Sequence, residues 1–272
     1  MNITPLQELI YRLKETNVTL IIGAGISNEV ANIPLGVELA SSFAKDMGFK
    51  DTKILGSKIN ELKIRYPYFQ KDDFKTIAFA LNLLDNAKLK EVSLKYLTMK
   101  KLKHPLYSSI SSLIEKNVIN TVINFNFDEL LEYNLSIYTI LDSEDYKQND
   151  NAKPLHIKAH GTVSRPDHLR FLRPDWYRLE PKIEKILKQR LQDTETIIVA
   201  GFRLNFEPFV KLILNNTKQN FNIYIIDRKK YSVHPHLKKH IIDWIIVDEK
   251  GSTPIFQYLD KNILIKPEKN QI

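Results

Sequence analysis

Short runs of β-branched and other apolar residues recur along this chain with room for helices between them, and that alternation restricts the architecture more than any other feature. The runs are Val18 to Ile22, Ile119 to Ile123, Leu155 to Ala159, Thr196 to Ala200, Asn222 to Ile226 and Trp244 to Val247. Each is bounded by turn residues and reads as a strand buried on both faces. Segments with helical spacing lie between them, at Pro5 to Glu15, Leu35 to Met47, Pro105 to Lys116, Glu129 to Asn134, Pro174 to Leu191 and Glu207 to Thr217. Strands alternating with helices predict an α/β fold: a Rossmann-like, parallel, six-stranded sheet with helices on both faces.

The stretch from Gly48 to Lys103 breaks the alternation. It offers no strand and carries helical runs at Phe74 to Leu84 and Leu89 to Leu97, so it reads as a helical insert between the first two strands of a single domain spanning residues 1–272. Asp142 to Lys153 is polar and aperiodic, which predicts a surface loop, and the tail from Lys266 is expected to fray.

Composition narrows the chemistry. With 272 residues, of which 43% are hydrophobic, the chain can bury a substantial core. Its start, MNITPLQELIYRLKE, lacks the basic and apolar regions of a secretory signal, and no later apolar run is long enough to cross a bilayer, so a cytoplasmic protein without membrane contact is expected. There is no cysteine. That excludes disulfides, thiolate nucleophiles and every cysteine-based zinc site. The formal charge of +8 reads first as solvated lysine faces, with nucleic acid contacted only indirectly, and it is compatible with an anionic ligand.

Five motifs can carry chemistry. In VTLIIGAGIS an apolar strand runs into Gly23, Ala24, Gly25 and, two residues on, Ser27. Glycines there let backbone amides approach a pyrophosphate, although the same residues also make plain tight turns. Asn28 stands where the third glycine of G-x-G-x-x-G would be, which disfavours an ordinary dehydrogenase. Next, Asn124-Phe125-Asn126-Phe127-Asp128 follows the second strand, where open parallel sheets bind ligands; Asp128 could equally cap a helix starting at Glu129. Lys158-Ala159-His160-Gly161 ends the third strand, and His160 there can act as a base or be structural, with His156 on the same strand as a competitor. The remaining two are Gly201-Phe202-Arg203-Leu204-Asn205 after the fourth strand and Asp227 ending the fifth, where a carboxylate suits ribose hydroxyls.

Taken together and in this order, the motifs resemble the Sir2 superfamily, in particular its zinc-free bacterial branch associated with antiphage defence. The resemblance spans roughly Val18 to Arg228, with the Gly48 to Lys103 insert outside it. It implies that Gly23, Ala24, Gly25 and Ser27 cradle the phosphates of NAD, that Asn126 and Asp128 line the nicotinamide-ribose pocket, and that His160 is the catalytic histidine. Gly201, Phe202 and Asn205 would close over the adenosine side, with Asp227 near its ribose. The chain departs from the deacetylase pattern: Asn32-Ile33-Pro34 is followed by Leu35-Gly36-Val37 and no arginine, Arg203 replaces a small hydroxyl residue, and Asn124-Phe125 replaces a threonine pair.

In the deacetylases a four-cysteine zinc module lies between the H-G and G-F/S motifs; here Thr162 to Ala200 contains no cysteine. The resemblance therefore implies a zinc-free NAD glycohydrolase with water as acceptor, rather than a deacetylase. A module that binds NAD or ADP-ribose without cleaving it is the alternative. As partners it implies a homo-oligomer and a HerA-like ATPase or an Argonaute-like protein.

Overall fold

The apolar runs assemble into one parallel sheet. The computed structural model describes residues 4–263 except 67–68, 70–72, 136, 138, 142–143, 146–153, 174–177 and 205–206. Its sheet comprises β1 (Val18–Ile22), β2 (Thr121–Asn124), β3 (Thr139–Ile140), β4 (Leu155–Lys158), β5 (Thr196–Ala200), β6 (Asn222–Asp227) and β7 (Ile241–Ile246). All pair in parallel, in the order β3-β4-β2-β1-β5-β6-β7. The fully buried β1 sits at the centre. β2 to β4 lie on one side of it and β5 to β7 on the other, so the change of direction makes a topological switch point between the carboxyl ends of β1 and β5.

The sheet thus has seven strands where the sequence predicts six. The additional one, β3, is two residues long and contributes too short an apolar run to read. Nor is every strand buried on both faces: on the edge strand β7, Ile242 and Ile246 are exposed.

Helices cover both faces. Leu20 and Ile22 of β1 pack into one core with α1 (Pro5–Glu15), α3 (Gly36–Asp46), α7 (Pro105–Glu115) and α10 (Thr253–Asn262), whereas Ile21 packs into the other with α8 (Pro181–Gln192) and α9 (Glu207–Asn216). The alternation is the two-residue period of a strand. α1 begins at a capping box, with Thr4 accepting from the Gln7 amide and the Gln7 side chain accepting from the Thr4 amide.

Three helices fill the expected insert: α4 (Lys53–Arg65), α5 (Phe74–Leu84) and α6 (Asn86–Leu97). Phe43 of α3 anchors α5 and α6, its ring 6.4 Å from Phe74 and 5.7 Å from Tyr96, and it also lies 6.1 Å from Phe171. The segment expected to be helical from Glu129 forms only a 3-10 turn at Glu132–Asn134. α8 starts at Pro181 rather than Pro174, and residues 174–177, like most of the loop 142–153 and the tail from Lys266, lie outside the described residues.

The glycine turn also ends in a helix that the sequence pattern did not reveal, α2 (Ala24–Ala31), which starts immediately after Gly23. Its Glu29 carboxylate accepts from the amides of Ser252 and Thr253 at 2.7 and 2.9 Å and from the Thr253 hydroxyl at 2.7 Å, capping α10. An acidic group is favoured at a helix N-terminus. Replacing Glu29 by alanine is expected to cost about 1–2 kcal/mol and lower the melting temperature by a few degrees. An unchanged melting temperature would show that this cap does not operate in solution.

Candidate functional site

At the switch point the turns after β1 and β5 interlock. The Gly23 amide donates to Ala200 O at 3.2 Å and the Gly25 amide to Gly201 O at 2.9 Å. A Cβ on Gly25 would lie 2.7 Å from Gly201 Cα, and Gly201 itself has φ +61°. Both residues are glycines first because two backbones pass at contact distance. The Gly23 and Gly25 amides are thus engaged across the two turns, and the exposed Ala24 is the first residue of α2. Asn28, in place of a third glycine, donates to Ile33 O at 3.0 Å and holds the Asn32-Ile33-Pro34 segment.

The loop after β2 places two asparagines in different roles. Asn124, still in the strand, accepts from the Asn126 amide at 2.9 Å, so its side-chain oxygen holds a local turn. Asn126 is 5% exposed, and its Nδ2 donates to Gly23 O at 3.1 Å and to Ser27 Oγ at 2.8 Å. Ser27 also hydrogen bonds with Tyr107, a fully buried residue of α7 whose hydroxyl is held well above its usual pKa by burial. With both amide hydrogens spoken for, Asn126 Oδ1 stays buried with no hydrogen-bond partner among the described residues. A buried acceptor left open is costly, and it marks a place where a ligand or water hydroxyl would donate.

Asn126 lines a cavity of about 140 Å³. Its lining includes Ala24, Ser27, Asn126 and Asp128 together with the apolar Ile33, Pro34, Phe74, Leu97 and Phe127. An apolar pocket with a few convergent polar groups is the usual form of a small-molecule site. Asp128 is buried and its Oδ1 accepts from the Leu130 amide at 3.2 Å, so it starts a turn and lines the cavity at once, without capping an α-helix.

His160 packs against both phenylalanines of that loop, with ring centroids 4.9 Å from Phe125 in an edge contact and 6.1 Å from Phe127. Burial, followed by the charges of Lys75 and Arg170, lowers its pKa from 6.5 to about 3. The imidazole is therefore neutral at physiological pH, the form that can accept a proton. Gly161 beside it has φ +81°, and a Cβ there would lie 2.2 Å from His168 O. The competitor His156 is fully buried, bonded through Nδ1 to Thr139 Oγ1 at 3.2 Å, and away from the cavity lining.

The remaining expected residues lie around this centre. Phe202 stacks on Phe125 at 4.3 Å, and its carbonyl accepts from the Tyr231 hydroxyl at 2.7 Å. Asp227, at the end of β6, accepts from the Arg228 amide at 2.7 Å. Gly201, Phe202, Asp227 and His160 are all outside the lining of the cavity, and Asn205 lies outside the described residues. Among the described residues, no group of three or more His, Asp or Glu side chains could hold a metal ion, and no helix is long and apolar enough to cross a membrane.

Sequence reasoning missed a buried pair beside this loop. Lys158 of β4 is fully buried; its Nζ donates to the Asp128 carbonyl and lies 3.0 Å from Glu132 Oε1. A lysine within LHIKA is visible in the sequence, but its partner is brought to it only by the fold.

Comparison with known proteins bears on the fold. Residues 120–245 match the family described as SIR2-like domain. Comparison with curated proteins gives no match. A structure from work on the mechanism and regulation of Sir2 enzymes aligns with TM-score 0.56 at 12% identity, over 94% of this chain and 96% of that one. A Sir2 homologue in complex with NAD aligns with TM-score 0.54 at 15% identity, over 94% of each chain. A Sir2 bound to an inhibitor, 2′-O-acetyl-ADP-ribose and a deacetylated peptide aligns with TM-score 0.52 at 13% identity, over 94% of this chain and 96% of that one. Residues 120–245 therefore match a SIR2-like domain, and the chain as a whole has the fold of Sir2 enzymes.

Proposed function

We propose that this protein binds NAD at the β1–β5 switch point and hydrolyses its nicotinamide-ribose bond, releasing nicotinamide and ADP-ribose. The observation that carries the reading is the open, buried Oδ1 of Asn126 in a cavity shared with Asp128, beside a neutral His160. The solved Sir2 homologue holding NAD supports the choice of ligand. The start of α2 at Ala24 suits a phosphate, and Asp227 suits the adenosine ribose.

NAD brings its own leaving group, because nicotinamide departs as a neutral heterocycle. The C1′–N bond breaks with its electron pair going to nicotinamide, and water adds at C1′ through a transition state like that of other glycoside cleavages. The chain supplies position and charge. Asn126 Oδ1 accepts from the ribose hydroxyl or the attacking water, Asp128 binds the carboxamide, and His160 takes the proton that the water releases. The apolar wall of Phe74, Leu97 and Phe127 limits the water admitted.

In this reading the protein is a cytoplasmic antiphage effector that depletes NAD, held in check by self-association or by a partner such as a HerA-like ATPase or an Argonaute-like protein. The low basicity of His160 favours a second reading, a module that binds NAD or ADP-ribose and signals without cleavage. Incubating the purified protein with NAD and following nicotinamide by chromatography separates the two. Release that is lost in Asn126→Ala and His160→Ala supports hydrolysis; binding without release supports the sensor; neither binding nor release rejects both.

A further inference from the structure

Lys158 is an expensive residue to place where it is. Its side chain has no solvent exposure, and a charge in such a position must be paired and hydrogen-bonded to be tolerated. Its two partners both belong to the segment that follows β2. The ammonium donates to the main-chain carbonyl of Asp128 and lies 3.0 Å from Oε1 of Glu132, whose own side chain is 11% exposed. Lys158 also stands opposite Asn124 in the β2–β4 register, and the next amide, Ala159, donates to Asn124 O at 2.9 Å. One side chain on the strand that leads to His160 therefore grips the loop that carries Asn126 and Asp128.

We propose that Lys158 is the positioning residue of the site: through the Asp128 carbonyl it sets the place of the Asn126–Asp128 loop relative to His160, with Glu132 as the counterion that makes a buried ammonium tolerable. The assignment rests on the NAD-cleaving reading above. Among the described residues, no other charged side chain links β4 to this loop by hydrogen bond. An apolar residue at position 158 would fill the same space without holding the carbonyl.

The test separates this role from simple stability. K158M alone leaves the buried Glu132 without its counterion, and is expected to destabilise the protein. The double variant K158M/E132L removes both charges, and replacing a buried pair by apolar residues is commonly neutral for stability, so its melting temperature should return close to that of the parent. Its kcat for nicotinamide release is nevertheless expected to fall by about 10- to 100-fold, with KM changed by less than about threefold, because misplacement acts on the transition state more than on binding. E132Q keeps the ammonium on the Asp128 carbonyl and should retain kcat within about threefold. A folded double variant with parental kcat overturns the proposal. So does an E132Q protein whose kcat falls by about 10-fold or more from the parent value, a result that stands even where the double variant fails to fold. A parent protein that neither binds NAD nor releases nicotinamide overturns the functional reading and this role together, whereas the first two outcomes leave the functional reading intact.

Discussion

Replacing Asn126 by aspartate will abolish nicotinamide release more completely than replacing it by alanine, although aspartate is the closer shape. The carboxamide has two jobs, and its ends are not interchangeable. Nδ2 donates to Gly23 O and Ser27 Oγ, which ties the β2 loop to the glycine turn; Oδ1 is the open acceptor. A carboxylate keeps the acceptor but turns an oxygen towards the Gly23 carbonyl, so that two acceptors face each other in a buried site. Leaving a buried carbonyl unpaired costs about 1–3 kcal/mol, and an adjacent buried charge adds to that. Asn126→Asp should therefore melt below Asn126→Ala, and its release rate should fall on the order of a thousandfold, because the repulsion pushes the loop and its acceptor out of the place where the transition state needs them. Thermal unfolding and chromatographic rates on the three proteins decide the matter. An aspartate variant that keeps parental activity would mean that the Nδ2 contacts do not position the site.

The interlocked turns explain why some of this site was legible in the sequence and some was not. Gly23, Gly25 and Gly201 stand out after apolar strands because only glycine allows the backbones of two turns to meet, and that requirement is local enough to read. The strands β1 and β5 have the expected bounds for a similar reason, since central parallel strands are apolar throughout. β3 and the exposed face of β7 lie at the sheet edges, where burial comes from one side and the apolar signal weakens.

The segment after Asp128 shows a different limit. DELLEYNL has helical spacing, yet Asp128 folds back on the Leu130 amide and Glu132 turns inward to Lys158. Tertiary pairing overrides local propensity there. The two asparagines of the loop are alike in sequence as well, and only the hydrogen bonds distinguish Asn124, committed to a turn, from Asn126, which keeps an acceptor open. The aromatic contacts behave likewise. Phe125 and Phe127 read as generic apolar residues, but both contact His160 and link it to Phe202 and, through Phe74, to the insert.

Stability should fall steeply on mild acidification, well before most carboxylates titrate, and His160 should be one of the causes. Its pKa is lowered from 6.5 to about 3, mainly by burial, and His156, buried in the same region, is lowered well below 6.5 for the same reason. A histidine depressed by folding binds its proton more readily in the unfolded chain. Above pH 6.5 neither state is protonated and nothing is lost; below it, the unfolded state gains protons that the folded state refuses, so stability declines as pH falls towards the folded pKa. Each such group steepens the decline by up to about 1.4 kcal/mol per pH unit. Glu132 acts in the opposite sense, because burial raises its carboxyl above 4.5 and the folded state takes up that proton more readily. The clearest window is therefore between about pH 7 and pH 5.5, above the range in which ordinary carboxylates titrate. Chemical denaturation across that window should give a falling stability for the parent and a shallower fall for His160→Asn, with His156 accounting for much of what remains. An equal slope in both proteins would mean that His160 titrates normally in the folded state, and the neutral imidazole assigned to proton transfer would then have to be reconsidered at the pH where nicotinamide release is measured.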